Sequence, residues 1–196
     1  MISWFQPSGL IWDVKTGEKV IYLTFDDGPI PVLTPFVLET LKNFNAKATF
    51  FCVGENVSRF PGIYREILNQ GHATGNHTFH HLNGWKTDDR TYVDDIRKCN
   101  EVLNSRLFRP PYGRISRSQF KLIRQDYKVF MWSVLSMDFH KKVTPEECLN
   151  ISKKHIRPGG IIVFHDNVKA SEKLRFALPR FLEHFSEKGF RFEALT

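Results

Sequence analysis

Two adjacent carboxylates, Asp26 and Asp27, follow the apolar run 20–23 and directly precede a turn, Gly28-Pro29. A carboxylate that loses water needs a partner, so two of them at the end of a strand are costly unless another group offsets their charge. This arrangement is typical of a reactive site. We therefore expect one of the two carboxylates to bind a cation and the other to transfer a proton.

A pair of histidines, His77 and His81, could supply the rest of a metal site. Their spacing of four residues would place both imidazoles on one face of a helical turn. With one aspartate they form a set of two histidines and one carboxylate, which leaves positions open for water and substrate. The pair alone is equally compatible with a core or surface role, and the two carboxylates favour the metal. We expect His80 to lie outside the site.

Three further residues have side chains suited to catalysis. Arg109 precedes two prolines, 110–111, which stiffen its loop, and a guanidinium can orient a carboxylate. His165 ends an apolar run and is a candidate general acid. We expect Asp138 to hold either His165 or Arg109. Asp166 follows His165 directly and should point to the opposite face of the strand.

Alternating strand-like and helical segments must position these residues. The predicted strands are 20–25, 47–53, 72–75, 107–109, 129–133, 161–165 and 190–195, and the predicted helices are 32–44, 56–69, 90–105, 116–125, 145–156 and 173–187. This alternation predicts an α/β fold with about seven parallel strands, best described as a distorted, incomplete (β/α) barrel. A doubly wound open sheet is the alternative. In both folds the carboxyl ends of the strands carry the chemistry, and the candidate residues fall there.

Length and composition limit the remaining possibilities. The 196 residues predict a single domain, 1–196, and no apolar window is long enough to span a membrane. The net charge of +7 comes without a basic run or motif, so nucleic-acid binding is not indicated. Three distant cysteines predict no disulfide framework. Residues 1–7 show no export signal, which favours a cytoplasmic protein, although removal of a signal would leave the same pattern.

Three motifs in order resemble those of the polysaccharide deacetylases of carbohydrate esterase family 4, the NodB-homology type. Residues 24–29 read T-F-D-D-G-P, residues 77–81 read H-T-F-H-H, and residues 109–112 read R-P-P-Y. The resemblance extends from Val20 to the C-terminus. It implies the incomplete (β/α) barrel of that family, in agreement with the strand pattern.

The resemblance also implies a role for each matching residue. Asp26 would be the catalytic base, and Asp27, His77 and His81 would be the metal ligands. Arg109 would then orient the base.

The other implied roles concern the oxyanion and the leaving group. The backbone N–H of Tyr112 would stabilise the oxyanion, and His165 would be the general acid, supported by Asp138.

The last two motifs depart from the family pattern. Where the family has D-x-x-D-W, residues 135–139 read L-S-M-D-F, and where it has L-x-H, residues 163–165 read V-F-H. Asp138 and His165 match, whereas Leu135, Phe139 and Val163 differ. Phe139 and Val163 keep the pocket for the acetyl methyl apolar but alter its shape, and Pro111 is expected to line the same substrate pocket.

The implied activity is hydrolysis of N-acetyl groups from glycans that contain N-acetylglucosamine, such as chitooligosaccharide or peptidoglycan. The implied cofactor is Zn²⁺ or another divalent metal such as Co²⁺, Mn²⁺ or Ni²⁺, and the expected partner is an acetylated carbohydrate. Alternatives are an O-acetyl esterase, a cyclic-amide hydrolase, or a carbohydrate-binding protein without activity. A glycosidase is disfavoured because neighbouring strand residues do not flank one bond. The sequence indicates no oligomeric state.

Overall fold

The computed structural model describes residues 8–196, in which parallel strands alternate with helices. Residues 1–7, on which the expectation about export rests, lie outside the described residues. The strands are β1 (Val20–Asp26), β2 (Ala48–Cys52), β3 (Ala73–Asn76), β4 (Leu107–Phe108), β5 (Lys128–Val129), β6 (Val134–Leu135), β7 (Ile161–His165) and β8 (Arg191–Phe192). The helices are α1 (Leu33–Asn43), α2 (Gly54–Arg59), α3 (Pro61–Asn69), α4 (Asp89–Leu103), α5 (Arg117–Ile123), α6 (Pro145–Lys154) and α7 (Ser171–Glu187).

The sheet is a curled half-barrel of seven parallel strands in the order β5-β4-β3-β2-β1-β7-β6, and β8 pairs with the start of β1. From β1 the strands follow chain order to one edge, and β7 and β6 lie on the other side of β1. This is the circular order of a barrel that is open between β5 and β6. Successive crossovers that share one handedness and run in the same direction along the sheet place the helices on one face. The sheet therefore curls. The expected incomplete barrel is confirmed, and the doubly wound alternative is wrong.

Alternation along β1 divides its side chains between two layers. Phe25 packs with the helices and stacks on Phe50 at 5.0 Å between ring centroids and on Phe164 at 6.1 Å. Thr24 and Asp26 point to the other face, towards the interior of the half-barrel, where both contact Arg109. One strand therefore supplies residues to the apolar core on one face and Asp26 to the interior of the half-barrel on the other.

Three predicted elements differ from the observed ones. In place of the predicted strand 129–133 there are two short strands at either end of it, β5 and β6, which lie on opposite edges of the sheet. Strands of two residues have no readable periodicity. The predicted helix 56–69 is two helices, α2 and α3, since Pro61 lacks an N–H and begins a new helix. The last predicted strand, 190–195, shortens to β8.

Two further expectations agree with the structure. Cys52, Cys99 and Cys148 are buried free thiols. Within residues 8–196, no helix combines the length and the apolar character needed to cross a membrane.

Candidate active site

The residues singled out in the sequence converge at the carboxyl ends of the central strands. Asp26 ends β1 and lies opposite His165, the last residue of β7, in the strand register. His77 follows β3 and Arg109 follows β4, while Asp138 lies beyond β6. Asp26, His77 and His165 line a cleft of about 650 Å³ at this edge of the half-barrel, and Arg109 and Asp138 are fully buried. The expected convergence on one rim is confirmed.

Asp27, His77 and His81 point their ligand atoms at one another. Asp27 Oδ1 lies 3.6 Å from His77 Nε2 and 3.1 Å from His81 Nε2, and the three ligand atoms lie within 4.8 Å of one another. His77 Nδ1 donates to the Arg109 carbonyl at 2.7 Å, which leaves the lone pair of Nε2 directed at the other two groups. One carboxylate and two imidazoles fit a divalent cation that accepts nitrogen and oxygen ligands.

The protonation states of these groups favour a cation. Burial lowers the pKa of His77 to about 4, so its imidazole is neutral at pH 7 and free to ligate. Burial alone would raise the pKa of Asp27, but the hydrogen bond from His81 and the charges of His165, His77 and His81 outweigh it and lower that pKa well below its usual range. Asp27 is therefore ionised at any pH at which the protein would work.

The histidines do not lie on a helical turn, contrary to the spacing argument. Residues 77–81 form an irregular loop after β3, in which Thr78 and His81 are left-handed, with φ of 61° and 56°. Asp95 on α4 holds this loop by accepting hydrogen bonds from the backbone N–H groups of Phe79 and His80 at 2.8 and 2.9 Å. It also binds His80 Nδ1 at 2.5 Å, so the His80 ring faces α4 and lies outside the cluster, as expected.

Asp26 is paired with a guanidinium that is completely buried. Arg109 Nη1 donates to Asp26 Oδ1 at 2.8 Å and to Thr24 Oγ1 at 2.6 Å. Its other nitrogens donate to the carbonyls of Phe130 and Met131 at 3.3 and 2.9 Å. Since backbone carbonyls and Thr24 satisfy the other donors of the guanidinium, Arg109 holds Asp26 without a second carboxylate.

The second carboxylate–cation pair involves His165, which lies on the strand next to Asp26. Asp138 Oδ1 accepts from His165 Nδ1 at 2.8 Å, and Asp138 Oδ2 accepts from the His165 backbone N–H at 2.7 Å. Of the two partners expected for Asp138, His165 or Arg109, the structure shows His165. Burial by itself lowers the pKa of His165, but the charge and hydrogen bond of Asp138, together with Asp26 and Asp27, raise it to about 9. His165 is protonated at pH 7 and can donate a proton.

Asp166 has a different use, as expected from strand alternation. It is buried, and it accepts hydrogen bonds from the Gly28 N–H at 2.9 Å and from Thr34 Oγ1 at 2.6 Å. A Cβ on residue 28 would lie 2.0 Å from Asp166 Oδ2, so only glycine fits there. Asp166 thereby fixes the turn that follows the two catalytic candidates, Asp26 and Asp27.

The apolar lining of the cleft agrees with the expectation at two of three positions. Phe139 and Val163 line it, and the Phe139 ring lies 5.0 Å from the His165 ring. The prediction for Pro111 is wrong. That residue is buried in the short 3₁₀ turn Pro111–Gly113, and Tyr112 from the same turn lines the cleft in its place.

Further lining residues were missed by the sequence reasoning; they are Asn83, Gly113, Arg114, Trp132, Leu135, Asn167, Val168 and Lys169. Of these, Asn167 touches the metal cluster: its Nδ2 donates to Asp27 Oδ2 at 2.6 Å. Its position two residues after His165, on the same rim, was the signal that could have identified it.

The backbone around the cleft adopts a conformation that side chains rarely permit. Non-glycine residues with positive φ in this region are Asp27 (85°), Thr78 (61°), His81 (56°), Tyr112 (60°) and Met137 (61°). Such residues persist where surrounding contacts hold them, and they concentrate at functional sites.

Comparisons with known proteins place the chain in a family. The family model described as polysaccharide deacetylase matches residues 13–128, more than half of the chain. A peptidoglycan-N-acetylglucosamine deacetylase of Bacillus cereus is 36% identical over 200 residues, covering 97% of this chain and 93% of that protein. A chitooligosaccharide deacetylase of Azorhizobium caulinodans is 35% identical over 170 residues, covering 81% of this chain and 79% of that protein.

A solved structure supports the same assignment. The crystal structure of the Bc1960 peptidoglycan N-acetylglucosamine deacetylase superimposes with a TM-score of 0.90 at 34% identity, covering 95% of this chain and 91% of that one. The family match includes the first three motifs, and the alignment to the Bacillus cereus relative extends over nearly the whole chain. The chain therefore belongs to the polysaccharide deacetylase family.

Proposed function

We propose that this protein is a metal-dependent deacetylase that removes N-acetyl groups from glycans containing N-acetylglucosamine and releases acetate. The observation that carries the proposal is the presence of two carboxylate–cation pairs beside one Asp-His-His cluster. Asp26 with Arg109 provides a base, and Asp138 with His165 provides an acid. Relatives named as deacetylases of peptidoglycan and chitooligosaccharide support this substrate class.

Asp27, His77 and His81 would hold the metal, which is Zn²⁺ or a comparable divalent ion such as Co²⁺, Mn²⁺ or Ni²⁺. When bound, such an ion polarises a carbonyl oxygen and lowers the pKa of a coordinated water. Three protein ligands leave positions open in the coordination sphere, as a catalytic site requires. The cleft above them is open to solvent and large enough to admit a sugar ring.

The residues around the cluster divide the proton transfers between them. Asp26, oriented by Arg109, accepts the proton of the attacking water. The backbone N–H of Tyr112 donates to the oxyanion as the carbonyl carbon becomes tetrahedral. His165, held by Asp138, protonates the nitrogen of the leaving amine so that the C–N bond breaks. Phe139 and Val163 surround the acetyl methyl with apolar contacts.

Substrate tests distinguish this function from its alternatives. We expect acetate release from acetylated chitooligosaccharide or peptidoglycan, with free amines in the product by mass spectrometry. Release from acetylated xylan alone would indicate an O-acetyl esterase. Binding of these glycans without release from any of them would indicate a carbohydrate-binding protein.

The Asp138–His165 pair leads to a prediction about pH. Activity should fall as the pH rises through the pKa of His165, because the general acid then loses its proton. In Asp138→Asn the carboxylate that raises this pKa is lost, so the alkaline limb of kcat/KM should move down by about 1–3 pH units. The measurement is a pH–rate profile of both proteins.

The control for this prediction is Asp126→Asn, which also removes one negative charge but at an exposed position outside the cleft. Its alkaline limb should coincide with that of the wild type. An unchanged limb in Asp138→Asn would show that His165 is not the acid that controls the reaction.

A further inference from the structure

Asn167 connects the end of β7 to the metal cluster. Its Nδ2 donates to Asp27 Oδ2 at 2.6 Å, and its Oδ1 accepts from the backbone N–H of Ala170 at 3.0 Å. The second bond caps the 3₁₀ turn Val168–Ala170. Since the amide oxygen is occupied by a backbone donor, the amide nitrogen must face the carboxylate. Both ends of the Asn167 side chain are therefore engaged and its orientation is defined.

The two oxygens of Asp27 have different neighbours. Oδ1 is the atom that approaches His77 Nε2 and His81 Nε2, at 3.6 and 3.1 Å, whereas Oδ2 receives the hydrogen bond from Asn167. The last torsion of an aspartate side chain is broad and nearly two-fold, so a carboxylate at a strand end does not by itself choose which oxygen faces a ligand. The hydrogen bond from Asn167 to Oδ2 leaves Oδ1 to face the two histidines.

The backbone of Asp27 is anchored without Asn167. Its N–H donates to the Phe51 carbonyl at 3.2 Å, and its carbonyl accepts from Asn56 Nδ2 at 2.8 Å. These two contacts hold the main chain in its left-handed conformation, with φ of 85°. Asn167 therefore affects only the rotation of the Asp27 carboxylate about the Cβ–Cγ bond. This rotation determines which oxygen faces a cation.

We propose that Asn167 is a positioning residue that holds Asp27 so that Oδ1 alone is presented to the ion shared with His77 and His81. This inference rests on the proposed function, which requires the ion. Without the amide donor, the carboxylate can rotate and present both oxygens to the ion or turn towards water. Hydrogen bonds that orient a metal ligand typically change metal affinity by about 10–100-fold.

The test replaces Asn167 by residues that keep the cap but cannot reach Asp27. In Asn167→Ser and Asn167→Thr a hydroxyl oxygen can still accept from the Ala170 N–H, since both residues are good caps. Each is too short to donate to Asp27 Oδ2. The measurements on the full chain are the Kd for Zn²⁺ against a competing chelator, and the visible absorption spectrum with Co²⁺, which responds to coordination number.

A matched control exists at another asparagine that lines the cleft. Asn83 also caps a 3₁₀ turn, Gly84–Lys86, by accepting from the Trp85 N–H at 3.1 Å, and it makes no described contact with Asp27. Asn83→Ser therefore makes the same chemical change at a similar cap. Its Zn²⁺ affinity and Co²⁺ spectrum should equal those of the wild type.

The expected result is a Kd for Zn²⁺ raised about 10–100-fold in both Asn167 variants, with an altered Co²⁺ spectrum and an apo melting temperature within about 4 °C of the wild type. Wild-type affinity in both variants would overturn the proposal. So would failure to fold or a larger fall in the apo melting temperature, because Asn167 would then serve the fold. If the wild-type protein itself binds no metal, the proposed function fails, and this inference fails with it.

Discussion

Asp26→Asn should lower kcat by about 10²–10⁴-fold while a divalent metal stays bound in a one-to-one ratio. The amide that replaces the carboxylate cannot accept the proton of an attacking water at neutral pH. Its oxygen can still accept a hydrogen bond from Arg109 Nη1, which now binds Asp26 Oδ1 at 2.8 Å. The ligand cluster of Asp27, His77 and His81 is unchanged by the substitution. The assay combines acetate release with metal analysis of the purified variant.

The substitution also tests stability, because it leaves a buried cation without its carboxylate. Arg109 is 0% exposed, and removal of one partner of a buried ion pair costs about 3–5 kcal/mol. The retained hydrogen bond to the amide oxygen should reduce that cost. Thermal unfolding must therefore confirm that the variant is folded at the assay temperature. Near wild-type activity in a folded variant would refute the assignment of Asp26 as the base, and loss of the metal would show that Asp26 is itself a ligand.

Removal of the metal should lower acetate release to a small fraction of that of the metal-loaded protein. Chelation followed by dialysis tests this directly, and addition of Zn²⁺, Co²⁺, Mn²⁺ or Ni²⁺ in turn should restore activity and rank the metals. The physical reason is that Asp26 and His165 supply only proton transfers, each worth about 10²–10⁴-fold, and neither polarises the acetamide carbonyl. Full activity after stripping would contradict the proposed mechanism.

Two histidine variants from the same loop make this prediction specific. His81→Ala removes an Nε2 that lies 3.1 Å from Asp27 Oδ1 and should abolish both metal binding and turnover. His80→Ala is the matched control, since its ring is bound to Asp95 and faces away from the cluster. The backbone N–H of residue 80 still donates to Asp95 in that variant, so the loop keeps its anchor. Loss of metal in His80→Ala alone would reverse the two assignments.

The residues of the site were predictable to the extent that their chemistry depends on strand position. Asp26, His77, Arg109 and His165 each lie at or just after the end of a predicted strand, and parallel strands bring such positions to one rim whatever the details of packing. The incomplete barrel also followed from the alternation of segments. The partner of Asp138 stayed open between two candidates, because the choice depends on which strand end lies nearest to it in space.

Three features had no readable signal in the chain. The short strands β5 and β6 exist because longer neighbours pair with them, so no local periodicity marks them. The loop 77–81 is irregular because Asp95, far along the chain, accepts from its backbone N–H groups, whereas the spacing of its histidines suggested a helical turn. Pro111 is buried and Tyr112 is exposed, and the left-handed φ of Tyr112, 60°, is a conformation that no local pattern marks.

The amino-acid sequence was sufficient to predict the candidate reactive groups, their order and the edge of the sheet on which they lie, since these depend on residue type and strand alternation. It could not establish which oxygen of Asp27 faces His77 and His81, or that Asn167 directs it there. Such assignments depend on contacts between side chains 50 and 140 positions apart in the chain, at distances of 3.6 and 2.6 Å. Those distances arise only when the strands have paired in register and the turns between them have closed.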